Sequence, residues 1–187
     1  MTKSISVLGV DPSLSNFGIA KGQLDLETDK FSLERLELVE TSPSSNKTVR
    51  KSSQDYDRCL TLATALFRYE KDVHVIFVEM PIGSQSARAM ASYGMCIGII
   101  AGIRDVPVIQ VSPAEVKLAA VGSKVASKED MIEWAYSKYT HDDWIVGRGG
   151  KPAKKNEHLA DAVATIEAGV KSTHYIAAKS VLKALYQ

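Results

Sequence analysis

Residues 4–13, SISVLGVDPS, decide how this chain is read. Residues 4–10 are a short apolar run carrying the β-branched Ile5, Val7 and Val10, a composition that fits a strand. Asp11-Pro12-Ser13 then stops it. Proline biases the residue before it away from the helical region, and an Asx side chain can bond its own turn. The stretch predicts a buried strand that delivers a carboxylate to the edge of a sheet. On this stretch alone, an Asx-turn carboxylate without chemistry explains Asp11 equally well.

Outward from that strand, residues 17–24 and 31–39 are two further strand candidates, separated by Glu27-Thr28-Asp29-Lys30, and together they predict an antiparallel meander. The apolar positions of the third run change parity between Leu33 and Leu36, which predicts a bulge there. Residues 41–53, rich in Ser, Pro, Asn and Lys, read as a loop. A helix over 54–71 follows, with Leu60, Ala63, Leu66 and Phe67 at helical spacing. Residues 73–78 are nearly all apolar, as in a strand covered on both faces, and end abruptly in Glu79.

Residues 85–103 predict a helix in which Gly94, Gly98 and Gly102 lie four apart, most simply for close packing on a sheet. Residues 106–111 are another buried strand. Ser112-Pro113-Ala114-Glu115 combines an N-cap, a proline at the first position and a capping-box Glu, so a helix begins at Pro113. Ser127 starts a further helix to about 139, and 140–156 form a long loop with Gly147, Gly149, Gly150 and Pro152. A helix over 157–171 and a final amphipathic segment with Ala178, Val181, Leu182 and Leu185 on one face complete the chain. A meander feeding right-handed crossovers implies an α/β fold: a mixed five-stranded sheet flanked by helices, in one domain over 1–187.

The chain has 187 residues, 45% of them hydrophobic, enough to bury a full core. Its net charge of +1 neither announces nor excludes a nucleic-acid binder, so any such signal must be local. Cys59 and Cys96 sit in apolar helical contexts and read as small hydrophobes in a reduced, intracellular compartment. The N-terminus lacks a charged region followed by an apolar run, and 95–103 is too short to span a bilayer, so neither secretion nor membrane insertion is expected.

Glu79 is the second candidate for chemistry, because a buried apolar strand should not end in an ionised group without a partner. Glu157-His158-Leu159-Ala160-Asp161 supplies the third: His158 and Asp161 are three apart on one helix face, with Glu157 at its edge. Each alone is ordinary surface. Together, three carboxylates from two strand ends and a helix would repel one another unless cations were bound. Magnesium favours carboxylate oxygens, and a pair of such ions suits phosphodiester hydrolysis.

In these segments the chain resembles the RuvC-type Holliday-junction resolvases of the RNase H-like superfamily. VLGVDPSLSNFGIA looks like the family's first strand and catalytic Asp, VIFVEMP like the strand ending in the catalytic Glu, and HLADAVA like the catalytic last helix. The resemblance implies an RNase H-like fold. It makes Asp11, Glu79 and Asp161 metal-binding catalytic carboxylates and puts His158 in the fourth catalytic and metal position. It also implies two Mg2+ ions per site, with Mn2+ able to substitute, four-way junction DNA as substrate, and a homodimer, since paired cleavage of a two-fold junction needs two sites. If His158 is a ligand, its protonation below neutral pH should weaken metal binding. Family members commonly carry an aromatic wedge shortly after the catalytic Glu, whereas Met80-Pro81-Ile82-Gly83 stands here. Phage-encoded members diverge in such features. The chain resembles these as well, which widens the expected substrates to other branched DNAs and the expected location to a bacterial or phage-infected host cytoplasm.

Three basic groups are DNA-contact candidates: Lys117, Lys124 and Lys128, resembling the family's basic segment; Arg148, Lys151, Lys154 and Lys155 in the Gly-rich loop, expected to be a mobile strip; and Lys47, Arg50 and Lys51. Trp144 borders the second group and is a lesser candidate. Trp134, His74, His141 and His174 read as structural. The helix with the glycine stripe, or the terminal helix, could supply the dimer face. Two other classes compete with the nuclease: a catalytically inert junction-binding or scaffold protein on the same fold, and an actin-like ATPase-related domain, which would need duplicated domains and phosphate loops that this sequence lacks.

Overall fold

The computed structural model describes residues 4–186. β1 (Ser4–Asp11), β2 (Asn16–Asp25) and β3 (Phe31–Glu40) form the predicted antiparallel meander, and β4 (Val75–Glu79) and β5 (Val108–Val111) add in parallel. The order across the sheet is β3-β2-β1-β4-β5. Lys21 pairs with Arg35 and Gly22 with Leu33, so Glu34 is the extra residue of a bulge, where the change in apolar parity predicts it.

Among the described residues, six helices cover the two faces: α1 (Lys51–Glu70), α2 (Ala87–Ile100), α3 (Pro113–Val121), α4 (Lys128–Lys138), α5 (Asn156–Gly169) and α6 (Thr173–Leu185). Strand alternation sorts the core. Ile5, Val7, Ala20, Leu24, Val75 and Phe77 face α5 with α3, α4 and α6 around it, while Leu8, Val10, Phe17, Ile19, Ile76 and Val78 face α1 and α2. α3 begins at Pro113 with a reciprocal Ser112–Glu115 capping box, and α4 is capped by Ser127 and Asp130 in the same way.

The structure corrects several local expectations. α1 starts at Lys51, and its buried stripe contains Asp55 and Arg58, whereas Leu60 is 53% exposed. Gly94 and Gly98 do not pack on the sheet: a Cβ at either would meet open space, and only Gly102 is crowded, by Phe67. α6 buries Tyr175 and Leu182 but leaves Val181 and Leu185 exposed. Trp144 is buried and donates its indole N–H to the Tyr139 carbonyl, so it is a core residue and not a DNA contact. Among the described residues, no helix is long and apolar enough to cross a membrane.

Candidate active site

Both strand carboxylates arise from the same parity. Asp11 continues the series Ile5, Val7, Gly9, and Glu79 continues Val75, Phe77, so both side chains belong to the face covered by α5. Val10 pairs with Val78, which makes Asp11 and Glu79 neighbours at the ends of adjacent parallel strands. α5 lies unusually close to this face. A Cβ on Gly9 would overlap the Ala162 carbonyl, and one on Gly18 the His158 carbonyl, so the glycines let the helix backbone settle onto β1 and β2. That approach brings His158 and Asp161 to the strand ends.

The buried Asn156 fixes the start of α5, accepting from the Ile145 N–H at 3.0 Å and donating to its carbonyl at 2.8 Å. His158 Nδ1 lies 2.7 Å from Asp11 Oδ2, and His158 Nε2 lies 3.2 Å from Glu157 Oε1. Lys128 completes the line with its Nζ 2.8 Å from Glu157 Oε2. Asp11, Glu79, His158 and Asp161 all line one cleft, together with Ile82, Tyr93 and Lys128.

Electrostatics mark this cleft as overloaded with negative charge. Burial, then the charges of Asp11 and Asp161, push the Glu79 carboxyl up to about 9, with Lys117 opposing. Burial, then Asp11, push Asp161 up to about 7, with His158 and Lys117 among the opposing charges. For His158, burial favours the neutral ring, but the hydrogen bond and charge of Asp11, with Glu157 and Asp161, outweigh it and raise its pKa. Among the described residues, no three His, Cys, Asp or Glu side chains form a ready-made metal cage. Asp11 is engaged by His158, and both ring nitrogens of His158 are turned to carboxylates, so metal binding through either nitrogen requires it to release a partner. The donor set nevertheless fits a hard, oxygen-preferring cation, whose charge would offset the burial and neighbouring negative charge that raise the pKa values of Glu79 and Asp161.

A larger cleft of about 900 Å³ opens beside this one and shares Lys128, Glu157 and His158 with it. Lys151, Lys154 and Lys155 line it. The basic loop expected to be a mobile strip is a short hairpin: Val146 bridges Pro152, and the Gly147 N–H donates to the Lys151 carbonyl at 2.8 Å. Lys155 is ion-paired to Glu40 at 2.5 Å. Lys117 donates to the Ala126 carbonyl at 2.9 Å and acts electrostatically on both Glu79 and Asp161, while Lys124 and Arg148 are exposed on their loops. Lys47, Arg50 and Lys51 are exposed between the end of β3 and the start of α1. Asn16 pairs with Glu40, and Arg58 of α1 bonds Ser15 and Thr41, so this group too lies at the Asp11 end of the sheet. It lines neither of the two clefts. Neither Tyr93 nor the Lys128–Glu157 pair is marked by any pattern in the sequence. Both depend on long-range packing that no local pattern encodes.

A mixed sheet of this order, with acidic residues ending β1 and β4 and a third on the helix that crosses them, has the RNase H-like architecture. The chain resembles the RuvC-type resolvases in both sequence and fold. No family model matches it. It is 34% identical over 134 residues to the crossover junction endodeoxyribonuclease RuvC of Pseudarthrobacter chlorophenolicus, covering 67% of this chain and 64% of that one. It is 23% identical over 169 residues to RuvC of Carboxydothermus hydrogenoformans, covering 88% and 95%. Among solved structures, T. thermophilus RuvC in complex with Holliday junction substrate matches with a TM-score of 0.60 at 22% identity, over 95% of this chain and 97% of that one. The Fowlpox virus resolvase in its junction complex matches with a TM-score of 0.52 at 18% identity, over 97% and 99%.

Proposed function

We propose that this chain is a single-domain, divalent-metal-dependent endodeoxyribonuclease that cuts four-way and other branched DNA junctions. The observation that carries the reading is the shared cleft of Asp11, Glu79, His158 and Asp161, where burial and then neighbouring carboxylate charge raise the pKa values of Glu79 and Asp161. Asp11, Glu79 and Asp161 would hold the cations, and His158 would join them after releasing Asp11 or Glu157. Two such ions, magnesium with manganese as a substitute, would activate the attacking water and stabilise the leaving oxygen. The protein's own part is to seat the scissile phosphate. Lys117 and Lys128 lie beside the carboxylates, and Lys151, Lys154 and Lys155 provide a path for the backbone, which Arg148 on the same loop and Lys124, close to Lys128 in sequence, would extend. Lys47, Arg50 and Lys51 would extend that path on the far side.

Ile82, 82% exposed at the cleft rim, takes the position of the family's wedge. An aliphatic side chain stacks on bases less well than an aromatic one, which favours tolerance of several branch types. The proposed homodimer would form through the outer face of α1 and α2. Tyr56, Leu60, Met90 and Ile97 are exposed there, and Gly94 and Gly98 permit close approach. The free Cys59 and Cys96 fit action in the reducing cytoplasm.

The test is cleavage of a synthetic four-way junction, a flap, a Y-fork and linear duplex in magnesium and in manganese. Incision of the branched substrates, with duplex left intact, is expected. An inert junction-binding protein would bind the four-way junction but cut none of them.

A further inference from the structure

Glu157 is not one of the three carboxylates above, yet it bridges two nitrogen-bearing side chains from different helices. Its Oε2 lies 2.8 Å and its Oε1 3.0 Å from Lys128 Nζ, and Oε1 is also 3.2 Å from His158 Nε2. His158 Nδ1 continues to Asp11 Oδ2 at 2.7 Å. The four side chains form an unbroken line from solvent inward, with exposures of 72%, 20%, 18% and 13% for Lys128, Glu157, His158 and Asp11.

The geometry has a directional consequence. An imidazole on a helix is free to turn about its terminal torsion unless both nitrogens are engaged, and here a carboxylate holds each one. Lys128 is the first residue of α4, and its side chain lines both clefts. A DNA phosphate that reaches Lys128 competes with Glu157 for the ammonium. As the Lys128 contact weakens, His158 becomes the main remaining partner of the Glu157 carboxylate, whose hold on the ring through Nε2 tightens.

We propose that Glu157 is a positioning residue that sets the orientation of His158 and transmits phosphate binding at Lys128 to the Asp11 end of the line. The kinetic part rests on the nuclease reading; the structural part does not.

The experiment follows the His158 ring by 15N NMR in metal-free protein at fixed pH, with and without saturating four-way junction DNA. Glu157→Gln is expected to move the Nε2 signal in the free protein. Junction DNA is expected to shift the ring signals of the wild type but not of Lys128→Met or Glu157→Gln. Under single turnover in magnesium, Glu157→Gln should cut about 10-fold more slowly with unchanged junction affinity. Ring signals that ignore Glu157→Gln, or that respond to DNA equally in Lys128→Met, overturn the proposal even if cleavage is normal. A responsive ring in a protein that cuts nothing counts instead against the nuclease reading.

Discussion

The backbone of His158 rests on Gly18: a Cβ added at Gly18 would overlap both the carbonyl oxygen and the carbonyl carbon of His158. The end of α5 that carries the candidate site is therefore set by a contact between main chains, which no side chain can occupy. Gly18→Ala must push α5 away from β2. Overpacking of this kind costs about 1–3 kcal/mol, and a displacement of about 1 Å at a reacting centre can cost about 100-fold in rate. Cleavage is expected to fall far more than melting temperature. A cleavage rate for Gly18→Ala close to wild type would contradict the placement of α5.

Asp55 anchors the other side of the site. It forms a two-pronged pair with Arg88 at 2.6 Å and lies 3.7 Å from the buried Arg58, which bonds Leu14, Ser15 and Thr41 beside the Asp11 turn. Hydrogen bonding to Arg88, against an opposing effect of burial, holds its carboxyl below the usual range. Asp55→Ala leaves Arg58 buried without its charge partner, a loss of about 3 kcal/mol or more. A chain of this size should lose about 2–4 °C in melting temperature per kcal/mol. Denaturant unfolding measures the loss, and a change below about 1 kcal/mol would show the pair to be solvated in solution.

Much of this architecture is legible in the sequence because it is local. The change in parity between Leu33 and Leu36 locates the bulge at Glu34, and Ser112-Pro113-Ala114-Glu115 locates the start of α3. Asp11 and Glu79 are found because each ends an apolar strand, and strand alternation fixes their common face. What the sequence conceals is the identity of long-range partners. Hydrophobic periodicity ranks Leu60 above Asp55 and Arg58 for burial, although the ion pair, once satisfied, occupies the inner stripe of α1. The glycines of α2 look like packing glycines, but nothing approaches Gly94 or Gly98. Glu157 reads as an edge residue until Lys128, from another helix, is placed against it.

Stability of the metal-free protein should fall as pH rises. Glu79 titrates near 9 and Asp161 near 7 in the folded chain, above their ordinary values of 4.5 and 3.8. The folded state therefore binds more protons than the unfolded state between those limits, and stability decreases with pH across that window. The contribution is fully present below about 4 and is lost as pH passes through 7 and then 9. Magnesium replaces the protons, so its stabilising effect should be larger at pH 8 than at pH 5. Thermal melts with chelator and with magnesium at both pH values measure this. An equal magnesium effect at the two pH values would contradict a carboxylate site.

Lys151 and Lys154 should contribute more to junction affinity than Lys155, which is already paired with Glu40. Removing one lysine that neutralises a DNA phosphate reduces the slope of log affinity against log salt by about 0.9. Titrations of Lys151→Ala, Lys154→Ala and Lys155→Ala across a salt series should show the first two flattening the slope and the third changing it least. A flattening for Lys155 equal to that of the others would mean that DNA displaces Glu40.

The most direct measurement is single-turnover incision of a four-way junction by the wild type and by Glu79→Gln, with binding followed in the same samples. Incision by the wild type is expected only when magnesium or manganese is present, and none is expected from Glu79→Gln at undiminished junction affinity. Incision by Glu79→Gln at the wild-type rate, or no incision by the wild type in either metal, would contradict a metal-dependent carboxylate nuclease.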